Sequence, residues 1–270
     1  MNNNNFNINK IINILNEIYH ISVKNIEKNN ESTDENVYMI KSNTEKYVAK
    51  IYKNIEHTNL MINLHNKLRS QRINVPKIIQ TKENENYSKI SKDNYMVLYS
   101  FIYGNSIKTK IKKGKLDNET IKLIAKEVRK MHKATISQNK LNLPLMPFEN
   151  KSMRKSLLHF DLTKDNIIKA CNNKIAIIDF DDSKFGDSVC DIAILIANLF
   201  VSKKYGFYLE GMKKFLDEYY FNEIELKNKE VPLIKEYTLK WIDYILSENE
   251  FDTSTTESLE IKYKIINEIL

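Results

Sequence analysis

Between residues 159 and 193 the chain places acidic side chains directly beside strongly apolar segments. The block reads HFDLTKDNII, then KIAIIDFDDSKFGD, and then CDIA. Its most distinctive polar members are three carboxylates and one carboxamide: Asp161, Asn166, Asp179 and Asp191. Unpaired charges among apolar strands are energetically expensive. A turn or a helix cap could explain any one of these residues, but four together at this spacing indicate a functional site.

The spacing within the block predicts how its residues meet. Residues 166–170 and 175–180 read as two strands joined by the turn CNNK. Antiparallel pairing would bring Asn166 and Asp179 to the same end of this hairpin, where both could reach one metal ion. Magnesium prefers oxygen ligands and accepts waters and phosphate oxygens as the others. Phosphoryl transfer needs such a set, because positioning and charge neutralisation lower its barrier.

The motif HxDxxxxN, followed by IDFxxxxxGDxxxDIA, resembles the aminoglycoside phosphotransferase family. This family also includes choline, homoserine and methylthioribose kinases, and it is similar to protein kinases in fold. Most of the chain resembles the family in the order of its predicted strands and helices, but only residues 159–193 carry motifs that are specific to it. The resemblance implies an α+β, bilobal protein-kinase-like fold, with an N-terminal antiparallel sheet lobe that has one main helix and a mainly helical C-terminal lobe.

The resemblance also implies a role for each residue of the block. Asp161 matches the catalytic base, and Asn166 and Asp179 match the Mg²⁺ ligands. Asp191 would support the catalytic loop from the following helix. Histidine often serves as a general base, so His159 could be mistaken for one, but beside Asp161 we expect it to shape the loop.

Three further residues match positions that bind the nucleotide in the family. Lys50, in YVAKIY, matches the strand lysine that holds the α- and β-phosphates of the donor, ATP or GTP. Ser100 and Phe101 fall in the connector between the lobes, whose backbone hydrogen-bonds the nucleobase in such kinases.

Two departures concern the N-terminal lobe. The turn over residues 29–36 contains no glycine, so Ser32 and Thr33, or backbone amides there, would have to contact the phosphates. The helix predicted over residues 56–72 should offer a glutamate to Lys50, yet its middle carries asparagines. Either Asn63 bonds to Lys50, or Glu56 reaches back to it, or the lysine is poorly positioned.

The apolar periodicity divides the chain near residues 100–105. Before this point it predicts an amphipathic first helix, a helix over residues 56–72, and strands over residues 20–27, 37–41, 46–52, 76–81 and 95–100. Beyond Gly104 helical spacing dominates, beginning with residues 119–133. We therefore expect a nucleotide-binding lobe over residues 1–101 and a catalytic and substrate-binding lobe over residues 102–270.

Composition excludes several functional classes. The net charge is +7, but the basic run over residues 108–115 has no interleaved aromatic residue, so we expect a solvated loop and no nucleic-acid partner. The most apolar stretch, residues 192–201, is about half of the roughly 20 residues that a membrane span requires. The two cysteines fit no metal-binding or disulfide pattern, so we expect a cytoplasmic protein. We also expect no membrane partner. The oligomeric state stays open.

The sequence favours a small-molecule kinase that uses Mg²⁺ and ATP or GTP. Asp181 and Asp182 could face a substrate amine or a second ion, or could cap a turn. An amine-bearing acceptor such as an aminoglycoside is the first hypothesis, and an amino alcohol such as choline or homoserine is the second. The interval between His132 and His159 is short, which favours an open acceptor site or one built mainly from residues 200–270. The alternative is a catalytically weak, nucleotide-binding pseudokinase.

Overall fold

The computed structural model describes residues 7–29, 36–135, 141–149, 151–152, 154–248 and 251–270. The chain divides into two compact units, Met1–Tyr103 and Gly104–Leu270. An antiparallel sheet dominates the first unit and helices dominate the second, so the predicted α+β class is confirmed. No helix in the described ranges is long and apolar enough to span a membrane.

The first unit is built on one sheet with strand order β1-β2-β3-β6-β4, and β5 pairs with β6. All of these pairings are antiparallel. The strands are β1 (Val23–Lys28), β2 (Val37–Ser42), β3 (Lys46–Tyr52), β4 (Ile78–Ile79), β5 (Ser88–Ser91) and β6 (Asn94–Ser100). Two helices accompany them, α1 (Ile8–Glu17) and α2 (Ile55–Ser70).

One face of this sheet forms an apolar core with α1. Ile11 and Leu15 lie one helical turn apart on α1 and are fully buried in the same cluster as Ala49 of β3. The helix starts where the Asn7 side chain accepts a hydrogen bond from the Asn9 N–H at 2.9 Å. Because side chains alternate along a strand, Lys50 points to the face opposite Ala49.

The second unit begins with β7 (Gly104–Ser106), a short 3₁₀ helix (Ile107–Lys110) and α3 (Asn118–Ala134). Strands β8 (Lys155–Leu158), β9 (Ile167–Ala170), β10 (Ile175–Ile177) and β11 (Lys184–Asp187) follow. The rest comprises α4 (Ser188–Leu199), β12 (Val201–Ser202), β13 (Gly206–Phe207), α5 (Leu209–Tyr219), α6 (Ile224–Glu230), a 3₁₀ turn (Val231–Leu233), α7 (Ile234–Glu248) and α8 (Thr253–Ile269).

Three small sheets and a central helix organise this unit. The sheets have the orders β10-β9-β7, β11-β8 and β12-β13, and all of their pairings are antiparallel. Every residue of α4 except Asn198 is buried. A helix that is apolar on all sides belongs in the middle of a fold, and α4 packs against α7 and β8.

The predicted elements agree best with the structure where apolar periodicity is strong. The predictions for α1, α2, α3 and β3 are confirmed, and so is the hairpin of β9 and β10. The strand predicted over residues 76–81 was too long, because only Ile78–Ile79 pair with β6. Six strands were missed: β5, β7, β8, β11, β12 and β13. Several of these are short and rich in Ser, Gly or charged residues, so tertiary pairing decides them.

The close approach of β7 to β9 gives a first prediction. A Cβ atom on Gly104 would lie 2.4 Å from the Lys169 carbonyl oxygen and 2.7 Å from Ala170 Cα. Because both atoms are backbone, Gly104→Ala should lower the free energy of unfolding by about 1–3 kcal/mol. Denaturant titration measures this, with the exposed neighbour Asn105→Ala as control. Equal stability of the two variants would contradict the predicted strand contact.

Candidate active site

The loop that carries Asp161 is fixed by one buried carboxylate. Asp191, on α4, accepts the backbone N–H of His159 at 2.7 Å on Oδ2 and that of Phe160 at 2.8 Å on Oδ1. Its Oδ2 also lies 3.1 Å from Nε2 of His132, on α3, and both side chains are fully buried. Three donors therefore satisfy this charge, which positions the loop relative to α3 and α4.

The backbone of this loop is strained where Asp191 holds it. Phe160 has a φ of 66°, a left-handed conformation that a bulky residue rarely adopts. Such a residue costs roughly 1–3 kcal/mol, which the surrounding contacts must offset. The Phe160 ring packs against Phe148 and Tyr244, with centroids 6.1 and 5.8 Å away. Asp179 also has a φ of 66°, so two neighbouring segments of the site share this strain.

His159 is fully buried and links the loop to the strand hairpin. Its Nε2 lies 2.8 Å from the Ile178 carbonyl oxygen, and its Nδ1 accepts the Asp161 N–H at 3.3 Å. Both ring nitrogens are therefore engaged within the protein. This arrangement favours the loop-shaping role expected for His159 over a role as general base.

Asp161 and Asn166 are joined directly. The Asn166 Nδ2 group donates to Asp161 Oδ2 at 2.7 Å and to the Asp161 carbonyl oxygen at 3.0 Å. Burial raises the pKa of Asp161 to about 6, the His159 ring lowers it, and the negative charges of Asp182 and Asp179 raise it. A carboxylate with a pKa near neutrality accepts a proton more readily than an ordinary aspartate does.

Asn166 and Asp179 offer the oxygen atoms that suit Mg²⁺. Ile167 pairs with Ile177, and the Ile178 N–H donates to the Asn166 carbonyl oxygen at 3.0 Å, so both residues lie at the same end of the hairpin. The Nδ2 group of Asn166 donates to Asp161, so its Oδ1 atom is the one that could bind a metal ion. The described ranges contain no group of three or more His, Cys, Asp or Glu side chains that could hold a metal alone. Magnesium does not require such a cage, since waters and phosphate oxygens complete its shell.

The two aspartates after Asp179 differ in their surroundings. Asp181 is partly buried and Asp182 is exposed. Ser183 closes the turn by donating to the Phe180 carbonyl oxygen through its N–H at 3.1 Å and its Oγ at 2.6 Å. The charge of Asp182 raises the pKa of Asp161, so it lies near the proposed base.

The proposed nucleotide-binding residues lie in the first unit. Lys50 is partly buried in the middle of β3, paired with Val37 of β2 and Val97 of β6. Ser32 and Thr33 lie outside the described residues.

Ser100 and Phe101 lie at the end of β6 and are held by neighbouring backbone. Ser100 donates its N–H to the Lys77 carbonyl oxygen at 2.8 Å, and its Oγ accepts the Lys77 N–H at 2.9 Å. The Phe101 N–H donates to the Lys46 carbonyl oxygen at 3.3 Å. Both N–H groups are thus engaged inside the first unit.

Helix α2 carries no carboxylate on its buried face. Glu56, Asn59 and Asn63 are exposed, whereas the buried polar side chains of the helix are Thr58 and His65. The sequence has no glutamate in the middle of this helix, and the structure agrees. The side of α2 that packs against the sheet presents the Thr58 hydroxyl and the His65 imidazole instead.

Sequence reasoning missed His132, the partner of Asp191. Its Nδ1 lies 2.6 Å from the Tyr219 hydroxyl, which accepts a hydrogen bond from Arg154 at 2.7 Å. With Nε2 donating to Asp191, Nδ1 is the acceptor from Tyr219. A signal existed in the sequence, because His132 falls four residues after Val128 on the apolar stripe of α3.

Comparisons with known proteins agree with this geometry. The sequence model described as "Phosphotransferase enzyme family" matches residues 136–220. A search of curated proteins finds no match. Three solved structures are similar over nearly the whole chain, at 12–15% identity.

The first is spectinomycin phosphotransferase in complex with ADP and spectinomycin, with a TM-score of 0.66, 15% identity, and 96% of each chain covered. The second is an amicoumacin kinase in complex with AMP-PNP and Ca²⁺, with a TM-score of 0.70, 13% identity, and 97% of this chain and 93% of that chain covered. The third is a microcompartment-associated aminopropanol kinase, with a TM-score of 0.68, 12% identity, and 96% and 95% covered.

These matches confirm the resemblance drawn from the sequence. The chain has the fold of the aminoglycoside phosphotransferases and related small-molecule kinases. The acidic block, residues 159–193, falls inside the segment that matches the phosphotransferase enzyme family, and together the two findings support a phosphotransferase.

The central role of Asp191 gives a second prediction. In Asp191→Asn one carboxylate oxygen becomes an NH₂ group, which would face an N–H donor and leave it buried without an acceptor. We expect the free energy of unfolding to fall by about 1–3 kcal/mol. Denaturant titration measures this, with Asp243→Asn as control because that aspartate is exposed on α7. An Asp191→Asn protein as stable as the control would show that the loop does not depend on this carboxylate.

Proposed function

We propose that this protein is a small-molecule kinase, which transfers the γ-phosphoryl group of ATP or GTP to a hydroxyl of a small, polar, amine-bearing acceptor. Asp161 would orient the acceptor hydroxyl and take its proton. Asn166 and Asp179 would hold Mg²⁺. Asp191 and His159 would keep the loop of Asp161 in position.

The observation that carries this proposal is the environment of Asp161. The carboxylate is largely buried, its pKa is raised to about 6, and the Asn166 amide orients one of its oxygens. Below this pKa the group is mostly protonated and could not act as a base, whereas above it the carboxylate is available. A structural aspartate in a turn would not need a neighbouring amide, two nearby carboxylates and a strained loop together.

The remaining residues have separate tasks in this proposal. When bound between Asn166, Asp179 and the donor, Mg²⁺ would neutralise charge on the phosphates. Lys50 would contact the α- and β-phosphates by resemblance to the family, and Ser32 and Thr33 would do so from the preceding turn. The backbone at Ser100 and Phe101 would contact the nucleobase, a kind of recognition that leaves ATP and GTP as alternatives.

The amine on the acceptor is inferred from charge and from the similar structures. Asp182 is exposed beside Asp161, and Asp181 precedes it, so carboxylates are available to an ammonium group near the base. The aminopropanol kinase is named for an acceptor that carries an amine. An aminoglycoside or a smaller amino alcohol, such as choline or homoserine, fits this description.

A second candidate function is nucleotide binding without turnover. It is favoured by the buried face of α2, which offers Thr58 and His65 where a glutamate would be expected to position Lys50. Such a protein would bind ATP or GTP but form no phosphorylated product with any acceptor.

The third prediction tests the role of Asp161. Asp161→Asn should lower kcat by about 100- to 10,000-fold, because a carboxamide cannot accept the hydroxyl proton. The measurement is Mg²⁺-dependent phosphoryl transfer from ATP and from GTP to aminoglycosides, choline, homoserine, methylthioribose and aminopropanol.

Asp165→Asn is the matched control for this experiment. Asp165 lies in the same loop, is exposed, and makes only a surface ion pair with Lys108 at 3.1 Å, so its loss should change little. Full turnover by Asp161→Asn would show that Asp161 is not the general base. Donor binding without product from wild type would favour the nucleotide-binding alternative.

The fourth prediction concerns the metal. Asp179→Asn keeps an oxygen at the position but removes its charge, so the Mg²⁺ concentration for half-maximal activity should rise by about 10- to 100-fold. Titration of activity with Mg²⁺ measures this, and Asp165→Asn is the control, because that aspartate is exposed and pairs with Lys108 on the surface. An unchanged Mg²⁺ requirement would show that Asp179 is not a ligand.

A further inference from the structure

The hydrogen bonds of Asp191 continue through His132 to two further buried side chains. The Tyr219 hydroxyl, at the end of α5, lies 2.6 Å from Nδ1 of His132, and Nη2 of Arg154 lies 2.7 Å from the same hydroxyl. His132 and Tyr219 are fully buried, and only 6% of Arg154 is exposed. Four side chains from four different segments of the second unit therefore form one continuous chain of hydrogen bonds that ends at the loop of Asp161.

The direction of each hydrogen bond in this chain follows from its two ends. A guanidinium group can only donate, so Arg154 donates to the Tyr219 oxygen, and the Tyr219 O–H group donates to Nδ1 of His132. At the other end the carboxylate of Asp191 can only accept, and it takes the hydrogen bond from Nε2. This order of donors requires a neutral His132 ring with its proton on Nε2.

A second proton on the His132 ring would break this order. Nδ1–H would then point at the Tyr219 oxygen, and the O–H proton of Tyr219 would lose the acceptor that it has in the described structure. Burial raises the pKa of Tyr219 well above its ordinary value, while the Arg154 charge acts in the opposite direction, and on balance the hydroxyl keeps its proton. Tyr219 therefore opposes protonation of His132.

Arg154 is itself held in one position. Its Nη1 lies 3.1 Å from Oε2 of Glu223, and its Nη2 lies 3.3 Å from Oε2 of Glu230. Its guanidinium carbon lies 5.0 Å from the centroid of the Tyr219 ring. Glu223 also pairs at 2.7 Å with Lys133 of α3. The donor that orients the Tyr219 hydroxyl is thus a fixed, buried group.

We propose that Tyr219 and Arg154 are positioning residues for the loop of Asp161, and that they act by keeping the His132 ring neutral with its proton on Nε2. A neutral ring leaves the full negative charge of Asp191 to the N–H groups of the loop, whereas an imidazolium would form an ion pair with Asp191 and weaken those hydrogen bonds. This inference rests on the proposed kinase function, because the loop affects turnover only if it carries the base.

The groups that face the His132 ring come from three segments. The charged and titratable groups in contact with it are Asp191 on α4 and Tyr219 on α5, and behind Tyr219 lie Arg154, Glu223 and Glu230. Glu223 and Glu230 pair with Arg154, so their charges reach His132 only through the guanidinium group.

The first test needs neither a variant nor turnover. In ¹⁵N NMR of wild-type protein near pH 7, His132 should show a protonated Nε2 and an unprotonated, hydrogen-bonded Nδ1. Its ring signals are assigned through scalar couplings to its own backbone. An imidazolium at this pH, or a ring with its proton on Nδ1 alone, would overturn the proposal.

Tyr219→Phe and Tyr220→Phe form a matched pair at the end of α5. Both tyrosines are buried and each substitution removes one hydroxyl from the same network, but Tyr220 donates to Glu230 at 2.7 Å instead of to His132. His132 should take up a second proton at a higher pH in Tyr219→Phe than in wild type, and Tyr220→Phe should match wild type. Equal behaviour of the ring in both variants would contradict the role of Tyr219.

The same pair separates loop positioning from a general loss of stability. Each variant loses one buried hydrogen bond, so both should unfold at lower denaturant concentrations than wild type. The amide protons of His159 and Phe160 should exchange with solvent about tenfold faster in Tyr219→Phe than in Tyr220→Phe, because Asp191 holds them less tightly. Equal exchange at these two amides would show that the loop does not depend on Tyr219.

Turnover gives the third readout. With an acceptor that wild type phosphorylates, Tyr219→Phe should lower kcat by about 10- to 100-fold and change KM by less than about threefold, since a displaced base slows the reaction without weakening binding. Arg154→Lys keeps the cation but lacks the planar fork, so its kcat should fall between those of wild type and Tyr219→Phe. An unchanged kcat in Tyr219→Phe would overturn the proposal.

Failure of this inference and failure of the kinase proposal give different results. If wild type forms no product, but the His132 ring and the loop amides respond to Tyr219→Phe alone, the positioning role is supported and the kinase is not. If product forms and neither the ring nor the amides respond, the kinase stands and the positioning role is wrong. Should Tyr219→Phe fail to fold, Arg154→Lys is tested against Tyr220→Phe with the same three readouts and the same criteria.

Discussion

The buried carboxylate of Asp191 is the interaction on which the rest of the candidate site depends. It accepts the N–H groups of His159 and Phe160 and lies 3.1 Å from His132 Nε2. A charge in this position is tolerated only because its partners are fixed in place. The same partners hold Phe160 in a left-handed conformation, so one group provides both the electrostatic anchor and the unusual course of the loop.

This anchor is continuous with a larger polar network in the second unit. Tyr219 lies 2.6 Å from His132 and accepts a hydrogen bond from Arg154, and Arg154 pairs with the buried Glu230 at 3.3 Å. Such a network is stabilising only when nearly all of its members find partners. It connects the loop of Asp161 to α5 and α6, which lie within residues 200–270, one of the two alternatives that the sequence left open for the acceptor site.

Neighbouring charges adjust the proton affinity of Asp161. On the side of the strand hairpin, Asp179 and Asp182 surround the proposed base with negative charge and raise its pKa. The His159 ring acts in the opposite direction and lowers this pKa.

The sequence by itself determined the elements with strong periodicity and singled out the acidic block over residues 159–193 as the candidate site. The stripe of α1, the alternation of β3 and the spacing from Asp161 to Asn166 are local properties, so no knowledge of distant contacts was needed. The tertiary structure alone decided the short strands β7, β8 and β11 and the pairing of His132 with Asp191. These features join residues far apart in the chain, and their stability comes from burial and partner geometry, which no local pattern encodes.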